Sequence, residues 1–282
     1  MTTRLRFTKM QGTGNDFVFL DGMKGDLPDV RRHAAQLCDR RFGIGCDQLL
    51  VLLPSQVADF RMVIYNADGS EVEMCGNGIR CLYRYVRSRG YTHRDEITVE
   101  TAGGIVRPAA EGDLVHVDMG EPVFAPEKVP TTIAPSPERP HGPILMAPFD
   151  LNGDLYEVSI LSMGNPHCVI VVDDPKTFPV TGVGPRIERD PRFPRRVNVE
   201  FVRPEGRGRI VQRTWERGSG ETMACGSGAC AAAVACALNG LTDHRVDVVL
   251  PGGTLHIHWD EQNNHVIMSG AAEEVFTGEI AL

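Results

Sequence analysis

The sequence predicts an α+β fold of two domains related by a pseudo-twofold duplication. Each domain is expected to be a curved mixed or antiparallel sheet wrapped around a central helix, with one shared site in the cleft between the domains. Three observations predict this fold. The chain has 282 residues, enough for two domains of about 150 residues each; one short motif occurs twice; and many short runs rich in β-branched residues lie between turn residues.

The repeated motif is Cys-Gly-x-Gly, at 75–78 and again at 225–228, 150 positions later. The same offset, applied without gaps, pairs three further polar positions: Asn15 with Asn165, Gln48 with Asn198, and Asn66 with Glu216. A constant offset through separated matches is hard to obtain by chance, and amide or carboxylate residues are not typical of a core. We therefore expect these paired residues to line a ligand site shared by the two halves.

The expected elements follow a similar order in both halves. Strands are predicted at 17–20, 48–53, 60–65, 96–100, 114–118, 169–172, 246–250 and 255–259. Helices are predicted at 29–40 and, directly after the two thiol loops, at 79–89 and 229–238. The last of these helices has no polar face, which is typical of a buried helix.

The proline-rich segment 122–148 is predicted to be a linker or an edge segment, because proline cannot donate a backbone hydrogen bond. The predicted domains are therefore residues 1–125, with the tail 271–282 packing back on them, and residues 126–270.

Composition excludes several classes of protein. The chain has 29 Lys and Arg against 37 Asp and Glu, a net charge of −8, whereas a general nucleic-acid binder needs a basic face. It has no apolar run near the ~20 residues of a membrane span and no signal-peptide core at its start. We therefore expect a cytoplasmic location, with neither a nucleic acid nor a membrane as partner. The eight cysteines include no Cys-x-x-Cys pair, so no metal site is predicted.

Cys75 and Cys225 carry the expected chemistry, because each begins a Cys-Gly-x-Gly loop that leads directly into a predicted helix. The free N–H groups of a helix N-terminus act as roughly +0.5 of a charge, so the pKa of both thiols is expected to fall. In a pseudo-twofold molecule the two thiols would face one substrate carbon from opposite sides. Such a pair inverts a stereocentre when one thiolate removes the α-hydrogen and the other thiol returns a proton.

Two further side chains are expected to orient or tune these thiols. His167 lies two residues after the paired Asn165, and Glu216 lies nine residues before Cys225 and is followed by Arg217.

From the residues alone, three other interpretations stay open. The cysteines could be structural in two tandem domains without a common site. The chain could be a thiol hydrolase with one nucleophilic cysteine and a histidine base, in which one of the two thiols is dispensable. It could also be a non-catalytic binding protein, in which either thiol tolerates replacement.

Seven segments, taken in chain order, resemble the diaminopimelate epimerase family over essentially the whole length. They lie at 9–17, 43–48, 65–70, 74–81, 163–167, 215–218 and 224–228, and include Tyr-Asn-Ala-Asp-Gly-Ser at 65–70 and Met-Gly-Asn-Pro-His at 163–167. Cys46 departs from the pattern, because alanine is expected there.

The resemblance implies an isomerase that works without any cofactor and, in particular, without pyridoxal phosphate. Its expected reaction interconverts LL- and meso-diaminopimelate, a step of lysine and cell-wall precursor biosynthesis, and its expected assembly is a homodimer. The implied acid/base pair is Cys75 and Cys225, with His167 and Glu216 as modulators. The implied substrate contacts are Asn15, Gln48, Asn66, Asn165, Asn198, Glu216 and Arg217, together with the loop residues Gly76, Asn77, Gly226 and Ser227.

The alternative within this architecture is a two-thiol racemase or epimerase of the proline or hydroxyproline type. Such a site has little use for the array of amides and for Arg217, whose planar guanidinium suits a second carboxylate.

Overall fold

The chain forms two compact units. The computed structural model describes residues 4–137, 140 and 142–282; residues 1–3, and residues 138, 139 and 141 of the predicted linker, lie outside the described residues. Unit 1 comprises Met1–Asp118 and Ser269–Leu282, and unit 2 comprises Met119–Met268. Both chain ends therefore belong to unit 1, whereas unit 2 is one continuous segment.

Short strands account for most of the regular structure. In chain order they are β1 (Arg4–Gly12), β2 (Asn15–Asp21), β3 (Gln48–Leu53), β4 (Phe60–Asn66), β5 (Glu71–Val72), β6 (Val99–Thr101), β7 (Gly104–Val106), β8 (Ala109–Glu111), β9 (Leu114–Asp118), β10 (Ile144–Leu151), β11 (Asp154–Ser162), β12 (Pro166–Val171), β13 (Asn198–Pro204), β14 (Arg209–Glu216), β15 (Gly220–Thr222), β16 (Arg245–Leu250), β17 (Gly253–Trp259), β18 (Val266–Gly270) and β19 (Glu273–Ala281). The helices are a 3₁₀ turn (Val30–His33), α1 (Ala34–Cys38), α2 (Gly76–Ser88), α3 (Val180–Glu188) and α4 (Gly226–Leu238).

The sheet of unit 1 is mixed. Its strands lie in the order β19-β1-β2-β3-β4-β6-β7, with β5 beside β4. The pairs β2–β3 and β4–β6 are parallel, and the pairs β19–β1, β1–β2, β3–β4 and β6–β7 are antiparallel. Helix α2 packs against β1, β9 and β19. Its apolar face, which includes Ile79, Leu82 and Val86, is completely buried, and this burial rather than helix propensity stabilises it.

The sheet of unit 2 repeats this pattern. Within this unit the strands lie in the order β10-β11-β12-β13-β14-β16-β17-β18, with β15 beside β14. Here β12–β13 and β14–β16 are the parallel pairs. Helix α4 packs against strands β11 to β14, β16 and β17, and its segment Ala229–Cys236 is buried throughout. The prediction of a buried helix is therefore confirmed.

The strand registers confirm the duplicated fold. Phe17 pairs with Gln48 in unit 1, and His167 pairs with Asn198 in unit 2. Each residue of the second pair lies 150 positions after its counterpart in the first pair. Helices α2 and α4 each contain 13 residues and begin directly after Cys75 and Cys225. The predicted α+β class, with a mixed sheet and a packed helix in each half, is correct.

The predicted helix at 29–40 is wrong in length. The 3₁₀ turn leads into α1, which already ends at Cys38. The next residue, Asp39, is extended, and its carboxylate accepts hydrogen bonds from the N–H groups of Arg41 and Phe42, each at 2.7 Å. These side-chain hydrogen bonds compete with the helical backbone hydrogen bonds and so end the helix.

The predicted linker contains part of a strand. Strand β10 includes Pro148 and forms the first strand in the order of its sheet, a position where the missing N–H of proline is tolerated. Among the described residues, no helix has the length and apolar character required to cross a membrane.

Candidate active site

Cys75 occupies the N-cap position of α2. Its backbone is extended, with φ −139° and ψ 108°, and its sulfur accepts a hydrogen bond from the Gly78 N–H at 3.4 Å. Strands β4 and β5 lead the chain to this point, and Gly76 is the first residue of the helix. The sulfur therefore lies where the free N–H groups of a helix favour an anion.

Asn15 lies beside this thiol in a fixed orientation. Its Oδ1 lies 3.7 Å from the Cys75 sulfur and accepts a hydrogen bond from Asn77 Nδ2 at 3.3 Å. Its Nδ2 donates to the carboxylate of Asp47 at 2.7 Å. Because an ionised carboxylate can only accept, Asp47 determines which end of the amide faces the thiol.

Gln48 and Asn66 form a second polar pair in unit 1. They lie opposite each other on β3 and β4, and Gln48 Nε2 donates to Asn66 Oδ1 at 3.0 Å. Asn66 Nδ2 in turn donates to the Ser70 hydroxyl at 3.0 Å. Both amides are half-buried, so they are ordered and still accessible to a ligand.

Cys225 occupies the equivalent N-cap position of α4, with φ −118° and ψ 112°. Its sulfur lies 3.6 Å from the Ser227 hydroxyl. Gly228 packs directly against this thiol, because an added Cβ atom would lie 3.3 Å from the sulfur and 2.7 Å from Glu200 Oε1. The second glycine of the motif is therefore required by packing.

The surroundings of Cys225 stabilise its thiol form. Burial raises its pKa well above the usual value, and the carboxylates of Glu216 and Glu200 raise it further, whereas hydrogen bonds from Ser227 and the Gly228 N–H lower it. The prediction that the helix N-terminus lowers the pKa of both thiols is therefore wrong for Cys225. Desolvation and two nearby negative groups outweigh the helix terminus there.

His167 links Asn165 to a buried carboxylate. Its Nε2 lies 2.9 Å from Asn165 Oδ1, and its Nδ1 lies 2.8 Å from Glu200 Oε1. The side chains of His167 and Glu200 are both 0% exposed. Burial raises the pKa of Glu200, and the neighbouring imidazole opposes this shift. Because Glu200 also lies against Gly228, the imidazole is coupled through it to the surroundings of Cys225.

Glu216 lies at the end of β14, close to the same thiol. Its carboxylate accepts a hydrogen bond from the Thr222 hydroxyl at 2.5 Å. Burial raises the pKa of Glu216, and hydrogen bonds from Thr222 and Cys225 act against this shift. The carboxyl group and the Cys225 thiol therefore shift each other's pKa.

Asn198 connects the start of β12 to the turn after β14. Its Nδ2 donates to the Pro166 carbonyl at 3.1 Å, and its Oδ1 accepts from the Arg217 N–H at 2.9 Å. The Arg217 side chain is exposed, and its guanidinium donates to the Arg195 carbonyl at 3.1 Å. Arg217 therefore has a fixed backbone and an accessible cationic group.

The structure thus groups the predicted site residues by unit. In unit 1 the predicted site residues lie around Cys75 and on the adjacent strands: Asn15, Gln48, Asn66, Gly76 and Asn77. In unit 2 they lie on strands, on loops and at the start of α4: Asn165, His167, Asn198, Glu216, Arg217, Gly226 and Ser227. Each loop supplies a thiol together with helix N–H groups that can hold a carboxylate. Among the described residues, no set of three or more His, Cys, Asp or Glu side chains is arranged to hold a metal ion.

Three neighbours of the site were missed by the sequence interpretation: Asp47, Glu200 and Thr222. Glu200 had a detectable signal, because it is the one charged residue in the apolar stretch 197–202 and lies two positions after Asn198. Alternate residues of a strand point to the same face. Asp47 lies in the matching segment 43–48 and Thr222 ends β15, but the sequence does not show which side chains they contact.

Comparisons with known proteins agree with this arrangement. The family model described as diaminopimelate epimerase matches residues 7–125 and 159–275. A diaminopimelate epimerase from Desulfovibrio desulfuricans is 48% identical over 284 residues, which covers 99% of each chain.

Two solved structures share the fold at low sequence identity. A PhzF-family phenazine biosynthesis protein from Bacillus anthracis has a TM-score of 0.73 at 17% identity, covering 99% of this chain and all of the other. A probable proline racemase from Agrobacterium radiobacter K84 has a TM-score of 0.70 at 14% identity, covering 99% and 93% of the two chains. On the family match and the full-length identity, this chain belongs to the diaminopimelate epimerase family.

Proposed function

We propose that this chain interconverts LL- and meso-diaminopimelate with Cys75 and Cys225 as the acid/base pair. The observation that carries the proposal is that each thiol caps the equivalent helix of a duplicated unit, with polar side chains arranged around it. The proposal requires both sulfur atoms to reach one α-carbon from opposite faces.

In the proposed reaction one cysteine acts as thiolate and removes the α-hydrogen as a proton. The electron pair of the broken C–H bond stays on the α-carbon, beside the carboxylate. The other cysteine then donates its thiol proton to the opposite face and becomes a thiolate. No redox partner is needed, and the reverse reaction exchanges the roles of the two cysteines.

The helix N-termini are proposed to hold the substrate's α-carboxylate. The backbone N–H groups at the start of α2, contributed by Gly76 and Asn77, and those at the start of α4, contributed by Gly226 and Ser227, are of the type that binds anions. Negative charge that develops on the substrate during proton removal would be stabilised by the same dipoles.

The family resemblance implies that Cys75 is the proton donor and Cys225 the acceptor for the LL substrate, and that the roles are exchanged in the reverse reaction, where Cys225 is the donor. The environment of Cys225 suits this second role. Burial and the carboxylates of Glu216 and Glu200 raise its pKa, so it holds its proton at neutral pH. Cys75 accepts a hydrogen bond from a helix N–H at 3.4 Å, a contact that favours its thiolate form. Glu200 acts as a positioning residue, because it contacts His167 and lies against Gly228 rather than being placed to touch substrate.

Specificity for diaminopimelate is proposed to rest on its second amino-acid end. The exposed guanidinium of Arg217 can grip a distal carboxylate in a bidentate manner. The amides Gln48, Asn66, Asn165 and Asn198 are further polar contacts that a ligand as small as proline would not need. This array favours diaminopimelate over the proline-type alternative.

The test is turnover of LL-diaminopimelate in deuterated buffer, with proline as the comparison substrate. We expect the meso product to carry one solvent deuterium at one α-carbon, while the LL substrate recovered at early times stays unlabelled. Deuterium in the product but not in the recovered substrate is the result expected when two separate thiols remove and return the proton. A product without label, or turnover of proline instead of diaminopimelate, would overturn the proposal.

The homodimer and the cytoplasmic location also belong to this proposal. Strand β19 lies at the end of its sheet order, and it exposes Val275 by 56% and Phe276 by 48%; exposed apolar strand edges promote association. None of the eight cysteines, all of which lie among the described residues, forms a disulfide, as is usual in a reducing compartment. Light scattering of the purified chain measures the oligomeric state directly, and a monomeric mass would contradict the dimer.

A further inference from the structure

A second pair of thiols lies in unit 1, away from the Cys-Gly-x-Gly loops. The sulfur of Cys46 lies 3.4 Å from the sulfur of Cys38. The same two residues are joined through the backbone, because the Cys46 N–H donates to the Cys38 carbonyl at 3.2 Å. Cys38 is the last residue of α1, and Cys46 lies in the loop before β3.

The two thiols are chemically unequal. The Cys46 thiol donates its hydrogen bond to the Cys38 sulfur, and this hydrogen bond, with the positive charge of Lys9, lowers the pKa of Cys38 despite its burial. The same interaction and burial raise the pKa of Cys46. Cys38 is assigned as the attacking thiol because its sulfur accepts the hydrogen bond from Cys46 and because it directly precedes the exposed segment 39–42. The thiolate and not the thiol attacks disulfides.

A short surface loop connects the two cysteines. Each cysteine is 5% exposed, whereas Phe42, in the loop between them, is 88% exposed. The segment 39–42 is exposed at every residue. Exposed loops open locally at lower free-energy cost than a core. A small disulfide reagent can therefore reach Cys38 once the ion pairs of Arg40 with Asp16 and Asp47 in this loop break, without unfolding of the unit.

We propose that Cys38 and Cys46 form a redox-active dithiol that small disulfides of the glutathione type oxidise reversibly to an intramolecular disulfide. The Cys38 thiolate attacks one sulfur of the reagent, forms a mixed disulfide and releases the first glutathione thiolate. Cys46 loses its proton, attacks the mixed disulfide at the Cys38 sulfur and releases the second. The protein loses two electrons and two protons, and one reagent molecule is reduced to two thiols.

Bond formation shifts the loop that supports Asn15. The sulfur atoms must approach by about 1.4 Å to reach the disulfide length near 2.05 Å. Cys46 is followed directly by Asp47, whose carboxylate holds the Asn15 amide at 2.7 Å. Because Asn15 lies beside Cys75, we expect the oxidised form to turn over diaminopimelate severalfold more slowly; this consequence rests on the proposed function.

Peptide mapping tests the disulfide itself, without reference to activity. The native chain is treated with oxidised glutathione, alkylated and cut with trypsin, which cleaves after Arg40 and Arg41 and so separates the two cysteines. We expect a linked pair of peptides, 33–40 with 42–61, that disappears after reduction. The proposal is overturned if Cys38 and Cys46 are both recovered as alkylated thiols while the same treatment oxidises other, accessible cysteines.

Cys46→Ala is the matched control for activity. This variant lacks the Cys38–Cys46 pair and keeps Cys75 and Cys225. Any loss of turnover that oxidised glutathione causes in both the wild type and the variant therefore comes from other thiols. We expect oxidised glutathione to slow the wild type more than Cys46→Ala, and a reductant to remove the difference. Equal inhibition would refute the effect on the site. Absence of turnover in the untreated chain would instead refute the proposed function and leave the peptide result standing.

Discussion

His167 Nδ1 lies 2.8 Å from Glu200 Oε1, and both side chains are fully buried in unit 2. The equivalent positions of unit 1, 150 residues earlier, are Phe17 and Leu50, which are equally buried but apolar. The duplication therefore preserves the backbone and changes the chemistry beneath one thiol loop. Cys225 lies above a carboxylate, whereas the glycine equivalent to Gly228 in unit 1 faces a leucine.

Replacement of either proposed catalytic thiol tests the two-base mechanism. We expect Cys75→Ala and Cys225→Ala each to reduce LL-to-meso turnover by about 10³-fold or more, because each removes one of two obligatory proton-transfer groups. Cys236→Ala, which alters a buried thiol on α4 outside the loops, is the control and should retain turnover. Substantial activity in either of the first two variants would contradict the mechanism.

The charge of Glu200 should determine how tightly Cys225 holds its proton. Its carboxylate raises the pKa of Cys225, so Glu200→Gln should let the thiol ionise at lower pH. If Cys225 must be protonated to act as donor, the alkaline limb of the pH–rate profile moves to lower pH in the variant. The rate of Cys225 alkylation by iodoacetamide as a function of pH measures the same shift directly.

Glu205→Gln, at a solvent-exposed carboxylate beyond the end of the same strand, is the matched control. It should leave both profiles in place. An unchanged alkylation profile in Glu200→Gln would show that this carboxylate does not act on the thiol.

The two motif glycines should differ in their tolerance of alanine. A Cβ at Gly228 would lie 2.7 Å from Glu200 Oε1, an atom held by His167, whereas a Cβ at Gly78 would lie 3.0 Å from a methyl group of Leu50. We expect Gly228→Ala to lower the free energy of unfolding by about 1–3 kcal/mol, and Gly78→Ala to lower it less. Urea titration of both variants measures the difference, and the opposite order would contradict this account.

Asp16 should stabilise unit 1 in a pH-dependent way. Burial opposes its ionisation, but hydrogen bonds and charge from Arg40 and Lys9 outweigh this and lower its pKa from 3.8 to about 2. A depressed carboxyl pKa stabilises the folded state above pH 4, and the contribution disappears as the pH falls towards 2. We expect Asp16→Asn to lower the free energy of unfolding by at most about 2 kcal/mol at neutral pH.

Urea titrations at several pH values check this prediction. The deficit of Asp16→Asn relative to wild type should shrink by about half near pH 3. Asp26→Asn, at an exposed position of the same unit, should show little deficit at any pH. A deficit that is independent of pH would mean that the amide disrupts packing rather than an ion pair.

Strands and helices are predicted well where the apolar pattern of the sequence matches the burial of the residues in the structure. Strands at 48–53 and 114–118 are predicted to the residue, because their apolar runs end at turn residues. The helices after the thiol loops begin three residues earlier than predicted, at Gly76 and Gly226, because glycine has low helix propensity and here serves close packing instead. Strand β19 was missed because it is mostly exposed and lacks an apolar alternation.

The family and the isomerase class drawn from the motifs are confirmed by the family match and the 48% identical relative. The environment of Cys225 could not be predicted in the same way. A helix N-terminus is visible in a sequence, whereas the desolvation of a thiol and its distance from Glu200 and Glu216 depend on the packing of three separate segments. Local sequence thus identifies the thiol, and only tertiary structure determines its protonation.

The pairing of β1 with β19 has a consequence for the order of assembly during synthesis. Strand β1 precedes unit 2 in the chain and β19 follows it, so the first unit can complete its sheet only after all of unit 2 has been synthesised. The second unit, an uninterrupted segment, is available for folding earlier, as domains generally fold as units during translation. A chain truncated shortly before residue 273 would therefore keep all of unit 2, whereas β1 of unit 1 would have an open edge.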